Sequence, residues 1–401
     1  MIERILEKEL KKTIGQKKSF FLLGPRQTGK TTLLDHLSSQ HKNVLSYSFL
    51  EIPLRQRAEQ RPESIRQEIE AVSPEIVIID EVQKVPEILD EVQFMIDKYK
   101  IIFLITGSSA RKLRRKDVNL LAGRAITFRL DPFDLAERKS FSKDFESLRT
   151  LQNILTFGGM PEIALLTEDQ NFPLVKNLLR SYVETFLEEE IRMETLVRKI
   201  GVFGNFLRLA GEMAGRILSF RELSQDLGVT HNTISSFYEI LHDCMVVERI
   251  PPLIPSSSRR RLAKANKYLF FDIGIRNMAA QLLVQEGVRR EEWSQRFEEW
   301  IGLSLIRYLR NRNLQGSLYY WRDHNGPDID WVVEYDNHWI PVEVKFVENP
   351  QPKHTRHLEL FLRENKDIAP KGFLVFLGNK PRKIAENITA IPWFDSYRVF
   401  E

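Results

Sequence analysis

The chain has 401 residues, of which 42% are hydrophobic and 28% are charged, and its formal net charge is +4. This length is too great for one ordinary domain and predicts two or three domains with proper hydrophobic cores. The small positive charge permits a nucleic-acid partner but does not require one. The single cysteine, Cys244, excludes a disulfide framework within the chain and argues against a structural zinc site.

The sequence shows no signal for export or membrane insertion. Its first residues, Met1–Lys8, have the pattern of a charged amphipathic helix and not of a signal peptide. No apolar run approaches the roughly 18 residues that a membrane-spanning helix needs. We therefore expect a cytoplasmic protein that has no membrane partner.

Residues 24–31 have the spacing of a phosphate-binding P-loop, G-x-x-x-x-G-K-[ST], between an apolar run and a helical pattern. The two glycines let the backbone bend so that its N–H groups converge on a triphosphate, and the start of the helix adds positive potential. Lys30 supplies a cation to the β- and γ-phosphates, and the Thr31 hydroxyl is a candidate ligand of Mg²⁺. We predict that ATP is bound by Gly24, Pro25, Arg26, Gln27, Thr28, Gly29, Lys30, Thr31 and Thr32.

Two carboxylates follow a strongly apolar segment, residues 76–79. Its run of β-branched residues is typical of a central parallel strand that is buried on both faces. Asp80 and Glu81 then lie at the carboxyl end of the strand, where open α/β sheets bind ligands. We predict that Asp80 holds Mg²⁺ through water and that Glu81 orients and polarises the attacking water. A strand that ends in two solvated acids is the alternative, and the P-loop about fifty residues upstream argues against it.

Strands and helices alternate along the first 130 residues. Strands are predicted at 44–49, 101–109 and 125–130, and helices at 62–72 and 86–97. This alternation predicts a right-handed parallel α/β sheet. The second of these strands ends in hydroxyl side chains. In AAA-type ATPases a polar residue at this place senses the γ-phosphate, and Thr106 and Ser108 are the two candidates for that role.

A basic region follows these hydroxyls. Arg124 comes directly after a glycine at the start of the strand 125–130, and we predict that it is an arginine finger that reaches the nucleotide of a neighbouring subunit. An arginine paired with a local carboxylate is the alternative. The cluster 111–116 is either a solvated basic helix face or a DNA contact.

The alternation stops at Asp131, and the middle of the chain is predicted to be helical. Helices at 151–157, 172–192 and 198–213, interrupted at 158–162, resemble the lid that follows an AAA core. Two short helices then flank Gly228, the first with a capping box of Ser219 and Glu222 and the second capped by Thr230. Helix, glycine turn and helix form the layout of a helix-turn-helix, with wing strands at 245–250 and 267–271.

This predicted winged helix supplies a candidate DNA contact. His231, Asn232, Thr233 and Ser236 would lie on the exposed first half of its recognition helix. The linker 256–267 carries five cations, which favours a contact with phosphates. Winged helices also serve as spacers and dimerisation pieces, so a solvated basic loop is the alternative.

The last part of the chain contains a second candidate site. A long amphipathic helix is predicted at 293–311, followed by strands at 317–322, 328–334 and 339–345. Alternation along the last strand places Glu343 and Lys345 on one face. Asp330 and Glu343 can bind a hard cation such as Mg²⁺, with Lys345 orienting or stabilising the attacking hydroxide and Glu298 completing the shell. That assembly suits metal-assisted hydrolysis of a phosphodiester.

These residues resemble the core of the PD-(D/E)XK nucleases, with Glu298 on the helix, Asp330 on the hairpin, and then Glu343-x-Lys345. The resemblance covers residues 293–376. The literal Pro327-Asp328 pair is offset from Asp330, so Asp328 is the alternative ligand. A scaffold in which these charges form only a cross-strand ion network is the other alternative.

Nearly end to end, the chain is similar to prokaryotic AAA-type ATPases that carry a C-terminal domain of unknown function with a nuclease-like fold. The resemblance rests on segments 24–31, 78–83, 106–113, 121–124, 158–162, 321–331 and 342–345. It implies an α/β fold with a parallel-sheet P-loop AAA-type core over 1–135, a helical lid over 136–215, a winged helix over 216–275 and an α/β restriction-endonuclease-like domain over 276–401. ATP and Mg²⁺ are the implied cofactors, with Mn²⁺ as a second choice of metal at the nuclease-like site.

Two hypotheses about function follow. In the first, an ATP-hydrolysing protein binds DNA and remodels duplex or branched (junction) DNA in recombination or repair, and in its fullest form also cleaves it. In the second, the chain is a regulatory AAA-type, STAND-like nucleotide switch whose nuclease-like domain is inactive and serves interaction. A homo-oligomer, for example a hexamer, is expected if Arg124 acts in a neighbouring subunit.

Overall fold

The computed structural model describes residues 2–108, 121, 123–187, 200–254, 264–283, 292–323 and 326–401. Internal contacts divide the chain into two compact units. One contains Met1–Pro132 with the short segments Asp243–Val246 and Arg310–Asn313, and the other contains Phe133–His242, Val247–Leu309 and Leu314–Glu401. The basic cluster predicted at 111–116 and most of the linker predicted at 256–267 fall outside the described residues. The finer division into four domains stays a prediction.

The N-terminal unit is built on a five-stranded sheet in the order β2–β3–β4–β1–β5. Its strands are β1 (Ser19–Leu23), β2 (Val44–Ser48), β3 (Ile76–Asp80), β4 (Ile102–Gly107) and β5 (Ala125–Arg129). Each neighbouring pair is parallel, which confirms the predicted parallel α/β sheet. Because the strands run in one direction, the residues that follow β1, β3 and β4 meet at one edge of the sheet.

Helices cover both faces of this sheet. They are α1 (Glu7–Gly15), α2 (Lys30–Ser38), α3 (Ile52–Gln60), α4 (Glu63–Val72) and α5 (Ile88–Tyr99), with a 3₁₀ turn at Val82–Lys84. The first two helices pack on one face and the other three on the opposite face, so β1, β3 and β4 are buried throughout. The N-terminal helix predicted at Met1–Lys8 was wrongly placed, since it begins at Glu7. In the segment before it, the Arg4 side chain donates hydrogen bonds to two distant backbone carbonyls.

The second unit begins with a series of helices. They are α6 (Leu135–Lys139), α7 (Leu148–Phe157), α8 (Pro161–Glu168), α9 (Phe172–Ser181), α10 (Ile200–Glu212), α11 (Phe220–Leu227), α12 (His231–Asp243) and α13 (Ile273–Ala279). The helix predicted at 172–192 ends as a regular α-helix at Ser181, and a π-helical stretch, Tyr182–Leu187, follows it. The boundary predicted between residues 275 and 276 falls inside α13. Among the described residues, no helix combines the length and apolar character that crossing a membrane requires.

An aromatic cluster joins α10, α11 and α12 to a pair of antiparallel strands, β6 (Val247–Ile250) and β7 (Lys267–Phe270). The Phe206 ring lies 5.0 Å from the rings of both Phe237 and Tyr238. Tyr238 in turn stacks on Phe220 at 5.2 Å and lies 4.3 Å from the Tyr268 ring of β7. The two helices around Gly228 and the two strands therefore share one core, although their identification as a winged helix stays a prediction.

The C-terminal part of this unit contains a six-stranded sheet in the order β12–β13–β11–β10–β9–β8. Its elements are α14 (Trp293–Asn311), β8 (Gly316–Arg322), β9 (Asp328–Tyr335), β10 (His338–Val344), α15 (Arg356–Glu364), β11 (Gly372–Phe376), β12 (Arg382–Ala385) and β13 (Ile388–Pro392), with 3₁₀ turns at Pro352–His354 and Trp393–Phe400. Strands β8, β9 and β10 are antiparallel neighbours, whereas β11 is parallel to β10 and β13. Trp331 of β9 lies opposite Val342 of β10, so the start of β9 lies beside the end of β10.

The Gly158-Gly159 pair, which interrupts the predicted lid helices, contacts the buried carboxylate of Asp272. Asp272 caps α13 by accepting the N–H of Gly274 at 2.9 Å, and its other oxygen accepts the N–H of Gly159 at 2.7 Å. The buried Arg138 side chain donates to the carbonyl oxygen of Gly158 at 2.9 Å. This motif therefore joins the start of α13 to the end of α7, and its role visible in the structure is packing.

Candidate nucleotide site and carboxylate cluster

The predicted P-loop connects β1 to the first turn of α2. Gly24 lies so close to the backbone that a Cβ atom here would clash with the carbonyl oxygen of Leu130. Gly29 immediately precedes α2 and has φ +89°, a left-handed conformation that favours glycine. Both glycines are thus required by geometry, and they let the chain curve around the start of a helix, where backbone N–H groups can bind phosphate.

Hydrogen bonds within the loop fix its side chains. The buried Lys30 ammonium donates to the carbonyl oxygens of Gly24 at 2.9 Å and Pro25 at 2.8 Å. The buried Thr28 hydroxyl also donates to the Pro25 carbonyl oxygen, at 2.9 Å. The predicted loop residues with the most solvent contact are Gln27, Thr31 and Thr32, while Arg26 is half-buried. Lys30 is therefore held against the loop backbone, while the Thr31 side chain is exposed.

Arg4 supports this loop from outside the motif. Its buried guanidinium donates to the carbonyl oxygen of Thr28 at 2.8 Å and to that of Asp131 at 2.7 Å. The peptide group is planar, so holding the Thr28 carbonyl oxygen also fixes the direction of the Gly29 N–H. Sequence reasoning missed Arg4 because its partners lie 24 and 127 positions away and no local pattern marks it.

Asp80 lies at the end of β3, beside the first turn of α2. Each of its carboxylate oxygens is 3.3 Å from the hydroxyl oxygen of Thr31. Thr106 of β4 donates to the same carboxylate, and its hydroxyl oxygen accepts the Glu81 N–H at 3.0 Å. Hydroxyl and carboxylate oxygens are the ligands that Mg²⁺ prefers, so this pair fits the metal that the sequence predicts. Thr106 therefore links the Asp80 carboxylate to the backbone of Glu81.

The Glu81 side chain is buried in a small polar group. Its Oε2 accepts a hydrogen bond from the Ser108 hydroxyl at 3.1 Å and another from the Gln83 side-chain amide. The same amide of Gln83 donates to the Ser108 oxygen at 2.8 Å. Ser108, predicted to contact the nucleotide, therefore contacts the predicted catalytic carboxylate, and its sensing role stays a prediction. Gln83 was not among the predicted site residues, although it stands two positions after Glu81.

Arg124 is paired with a local carboxylate, as in the alternative interpretation of this residue. Its Nε lies 2.7 Å from a carboxylate oxygen of Asp97, at the end of α5, and both side chains are exposed enough to reach solvent. The hydrogen bond from Arg124 lowers the pKa of Asp97. The role of Arg124 as an arginine finger stays a prediction.

In the second unit, the pairing of β9 with β10 brings the predicted metal ligands together. Asp330 accepts the N–H of Val344 at 2.8 Å, and Oε1 of Glu343 lies 2.5 Å from Nζ of Lys345. Oε2 of Glu343 is buried and has no hydrogen-bond partner among the described residues. Leaving a buried carboxylate oxygen without a partner is costly unless a proton or cation is bound there. The donor set of Asp330 and Glu343 therefore fits a hard divalent cation.

Proton affinities in this cluster are strongly shifted. Burial, with repulsion from Glu298, raises the pKa of Asp330 to about 7 against the attraction of two lysines. Burial, with repulsion from Asp330, raises the pKa of Glu343 to about 8. Burial alone would lower the pKa of Lys345, but the nearby carboxylates outweigh it and raise that pKa. The positive charge of the nearby lysines is therefore not enough to keep both carboxylates ionised, as expected of a site that binds a cation.

Glu298, predicted to complete the metal shell, lies at this cluster but has another partner. Its Oε1 is 3.0 Å from Nζ of Lys267, a buried residue at the start of β7. The Lys267 ammonium also lies 4.7 Å from the centre of the Trp331 ring. The indole N–H of Trp331 donates to the carbonyl oxygen of Glu298 at 3.0 Å. Lys267 was counted among linker cations in the sequence, and nothing local indicated that it reaches this site.

Asp328, the alternative ligand, points to a different partner. Its carboxylate lies 3.2 Å from Nδ1 of His357, and 47% of its side chain is exposed. Asp330, by contrast, contacts the end of β10 directly. This geometry supports the preference for Asp330, which remains a prediction until metal binding is measured.

Three family models match successive parts of the chain. Residues 16–139 match an AAA domain, residues 148–286 match a domain of unknown function (DUF8612), and residues 294–395 match another (DUF4143). The AAA match covers the P-loop, the parallel sheet and the Asp80–Glu81 pair. Its end at residue 139 lies close to the boundary between the two compact units.

Curated relatives and solved structures are distant. Uncharacterized proteins of Mycobacterium tuberculosis and Mycobacterium bovis are each 21% identical over 387 residues, which is 96% of this chain and 82% of each relative. A crystal structure of Pif1 helicase from Candida albicans aligns at 14% identity with a TM-score of 0.26, over 39% of this chain and 44% of that one. A structure of Bacteroides Pif1 bound to ssDNA aligns at 16% identity with a TM-score of 0.21, over 67% of this chain and 63% of that one. These scores are too low to indicate a common fold. The family models alone give the chain an AAA-type domain followed by regions similar to two domains of unknown function.

Proposed function

We propose that this chain hydrolyses ATP and couples the hydrolysis to a change in bound duplex or branched DNA. The observation that carries the proposal is that Thr31, Asp80 and Glu81 converge beside the P-loop, with 3.3 Å between the Thr31 hydroxyl and the Asp80 carboxylate. The loop N–H groups and Lys30 would bind the triphosphate, and Glu81 would orient water and accept its proton. Mg²⁺ held by Thr31 and, through water, by Asp80 would supply charge neutralisation at the phosphates.

The start of α12 supports DNA as the partner. His231, Asn232 and Ser236 are exposed, whereas Ile234 and Phe237 of the same helix are buried. A helix that packs through one side and presents polar side chains near its N-terminus suits contact with base edges in the major groove. The winged-helix identity of this region and a phosphate contact by the linker 256–267 belong to the proposal.

The C-terminal cluster is proposed to bind Mg²⁺ or Mn²⁺ and to cleave a phosphodiester. The Oε2 of Glu343 supports this, because it is buried, lacks a hydrogen-bond partner in the part of the chain that the structure describes, and belongs to a side chain that the Asp330 carboxylate repels. Lys345 would then hold or stabilise the attacking oxygen, and its closeness to Glu343, at 2.5 Å, places the ammonium group at the site. The nuclease-like fold of residues 276–401 is part of this proposal.

A second candidate function is the nucleotide switch with an inert C-terminal domain. The observation that favours it is that two carboxylates of the cluster already have lysine partners, Glu298 with Lys267 and Glu343 with Lys345. Such a network can be purely structural. The two candidates differ in a measurable way, because the switch predicts neither divalent-metal binding at the cluster nor DNA cleavage.

Assembly into a homo-oligomer, for example a hexamer, is proposed together with the arginine finger. An exposed ion pair contributes little to stability, so the bond to Asp97 would oppose a move of Arg124 to a phosphate only weakly. Sedimentation of the Glu81→Gln variant with and without ATP tests this point. A mass that stays that of one chain at all concentrations would contradict it.

ATP turnover by wild type and Lys30→Ala, with Lys42→Ala as a matched control, tests the ATPase part of the proposal. Lys30 is buried in the loop, whereas Lys42 is an exposed lysine of the same unit. We expect turnover to disappear with Lys30→Ala and to persist with Lys42→Ala. Equal turnover in all three proteins would trace the activity to a contaminant and would contradict the proposal.

A further inference from the structure

Gln83 is a buried polar residue at the nucleotide site that the proposed ATPase mechanism has not yet used. It lies in the 3₁₀ turn Val82–Lys84, directly after Glu81. Glu81 itself has φ 58°, a left-handed conformation that is strained for a residue with a side chain. This backbone turn reverses the chain after β3, and as a result the Gln83 side chain reaches back to the carboxylate of Glu81.

The hydrogen bonds fix the orientation of the Gln83 amide. Its Nε2 donates both to Oε2 of Glu81 and to the Ser108 hydroxyl oxygen, the latter at 2.8 Å. A reversed amide would place its carbonyl oxygen against the Glu81 carboxylate, and two acceptors repel each other. The nitrogen must therefore face Glu81, and the Gln83 carbonyl oxygen must point elsewhere.

That carbonyl oxygen, Oε1, is buried and has no hydrogen-bond donor among the described residues. Only 4% of Gln83 is exposed. A glutamine that served packing alone would gain by pairing both ends of its amide, because an unpaired buried acceptor destabilises the fold. The arrangement instead leaves a buried acceptor on the same amide that donates to the carboxylate proposed to polarise the attacking water.

We infer that Gln83 orients both partners of ATP hydrolysis: its amide nitrogen holds Glu81, and its carbonyl oxygen accepts a hydrogen bond from the attacking water. This inference rests on the proposed ATPase function. In the step, one water proton passes to the Glu81 carboxylate and the water oxygen bonds to the γ-phosphorus. The bond between that phosphorus and the bridging oxygen breaks, which gives ADP and phosphate. The Glu81 carboxylate and the Gln83 carbonyl oxygen then orient the attacking water together. A single carboxylate that is free to rotate would orient it less well.

Ser108 completes this arrangement as the third member. Its hydroxyl donates to Glu81 at 3.1 Å while its oxygen accepts from Gln83 at 2.8 Å. Both hydrogen-bonding functions of the hydroxyl are thus used within the group. Ser108 thereby holds Gln83 and Glu81 relative to each other, and a hydrogen bond donated by Ser108 to a phosphate would have to replace the one it donates to Glu81.

The chain offers a matched control, because the tripeptide Glu-Val-Gln occurs twice, at 81–83 and at 91–93. Gln93 lies half-buried on α5. Gln83→Met and Gln93→Met therefore make the same chemical change in the same local sequence. Gln83→Ala provides a second variant should the longer side chain disturb folding.

The test measures kcat and KM for ATP hydrolysis, together with the affinity for a fluorescent ATP analogue. We expect Gln83→Met and Gln83→Ala to lower kcat by about 10- to 100-fold, the order expected when one positioning group is removed, while nucleotide affinity and KM change by less than about two-fold. Gln93→Met should keep the wild-type kcat.

The contrary outcomes are separable. If wild type hydrolyses ATP and both Gln83 variants match its kcat, the inference is overturned while the ATPase proposal stands. Loss of nucleotide affinity and of melting temperature in parallel with kcat would show a structural role and also overturn it. If wild type does not hydrolyse ATP at all, the proposed function fails and this inference fails with it.

Discussion

The Thr31 hydroxyl oxygen lies 3.3 Å from each carboxylate oxygen of Asp80, although the two residues are 49 positions apart in the chain. The parallel sheet creates this proximity, because β1 and β3 end at the same edge with β4 between them. Thr106 of β4 then bonds to the same carboxylate and to the Glu81 N–H. Strand β4, which separates β1 from β3, thus joins the carboxylate proposed to hold Mg²⁺ to the backbone of the residue proposed to polarise water.

The first prediction concerns Asp80. Asp80→Asn keeps the shape of the side chain but removes the negative charge that would hold the hydrated Mg²⁺. We expect about a 10- to 100-fold loss in kcat/KM and a higher Mg²⁺ requirement, the usual effect of losing an outer partner of a metal. A Mg²⁺ titration of ATP turnover checks this. Asp35→Asn, an exposed aspartate on α2, is the control, and an unchanged Mg²⁺ curve for Asp80→Asn would contradict the assignment.

The second prediction concerns metal binding at Glu343. In nucleotide-free protein, Mn²⁺ should raise the melting temperature of wild type, because the cation binds the folded state. Glu343→Gln should lose this gain, since it removes the charge at the buried oxygen that has no hydrogen-bond partner among the described residues. Calorimetric melting with and without Mn²⁺ gives the comparison, and the exposed Glu348→Gln serves as control. An equal rise in melting temperature with Mn²⁺ in wild type, Glu343→Gln and Glu348→Gln would show that the metal binds at another site.

The third prediction is the pH dependence of the metal-free protein. Burial raises the pKa of Glu343 to about 8 and that of Asp330 to about 7, so the folded state keeps protons that the unfolded chain releases. For acids with raised pKa, stability is fully present below the unfolded pKa and falls as pH rises through the folded pKa. Between about pH 5 and about pH 8, where the unfolded chain has released protons that the folded state still holds, we expect the melting temperature to fall more steeply in wild type than in Glu343→Gln. Parallel curves in the presence of a chelator would contradict this account of the cluster.

The fourth prediction concerns the packing of the Gly158-Gly159 motif. Gly158 has φ +82°, and a Cβ atom here would clash with the Asp272 carboxylate that caps α13. Gly158→Ala should therefore destabilise the protein by about 3 kcal/mol, from backbone strain and disturbed hydrogen bonds to a buried carboxylate. Gly204→Ala, at an exposed helical position with open space around its Cβ, should stabilise by about 0.5–1 kcal/mol. Denaturant unfolding distinguishes the two, and similar small effects would show that the motif serves something other than packing.

Local patterns were sufficient to predict the sheet and the P-loop. Glycine spacing marked the loop, and the apolar run before Asp80 marked a strand that is buried on both faces, because these features lie within a few residues of each other. Helix α3 was not predicted, since its polar sequence begins at a proline-containing turn and buries Ala58 alone among its residues. The N-terminal helix begins at Glu7, later than predicted, and the segment before it contains Arg4, whose partners lie far along the chain.

In the two sites as well, contacts between residues close in sequence were predicted and contacts between residues far apart in sequence were not. The alternation along the strand predicted that Glu343 and Lys345 share one face. In the structure, Oε1 of Glu343 lies 2.5 Å from Nζ of Lys345. The ion pair of Glu298 with Lys267 was not predictable, because it joins a helix and a strand that are 31 positions apart and packed through aromatic rings. The contact of Gln83 with Glu81 depends on a left-handed residue at position 81, which sequence patterns do not reveal outside glycine.

The measurement that tests the central claim most directly is the rate of ATP hydrolysis with and without four-way-junction or duplex DNA. Wild type would be compared with Glu81→Gln and with Asn232→Ala, which changes an exposed residue at the start of α12. We predict that DNA accelerates turnover in wild type, that Glu81→Gln abolishes turnover, and that Asn232→Ala retains basal turnover but responds less to DNA. Turnover that is slow and identical with and without DNA in wild type would contradict ATP-driven action on DNA and would favour the nucleotide switch.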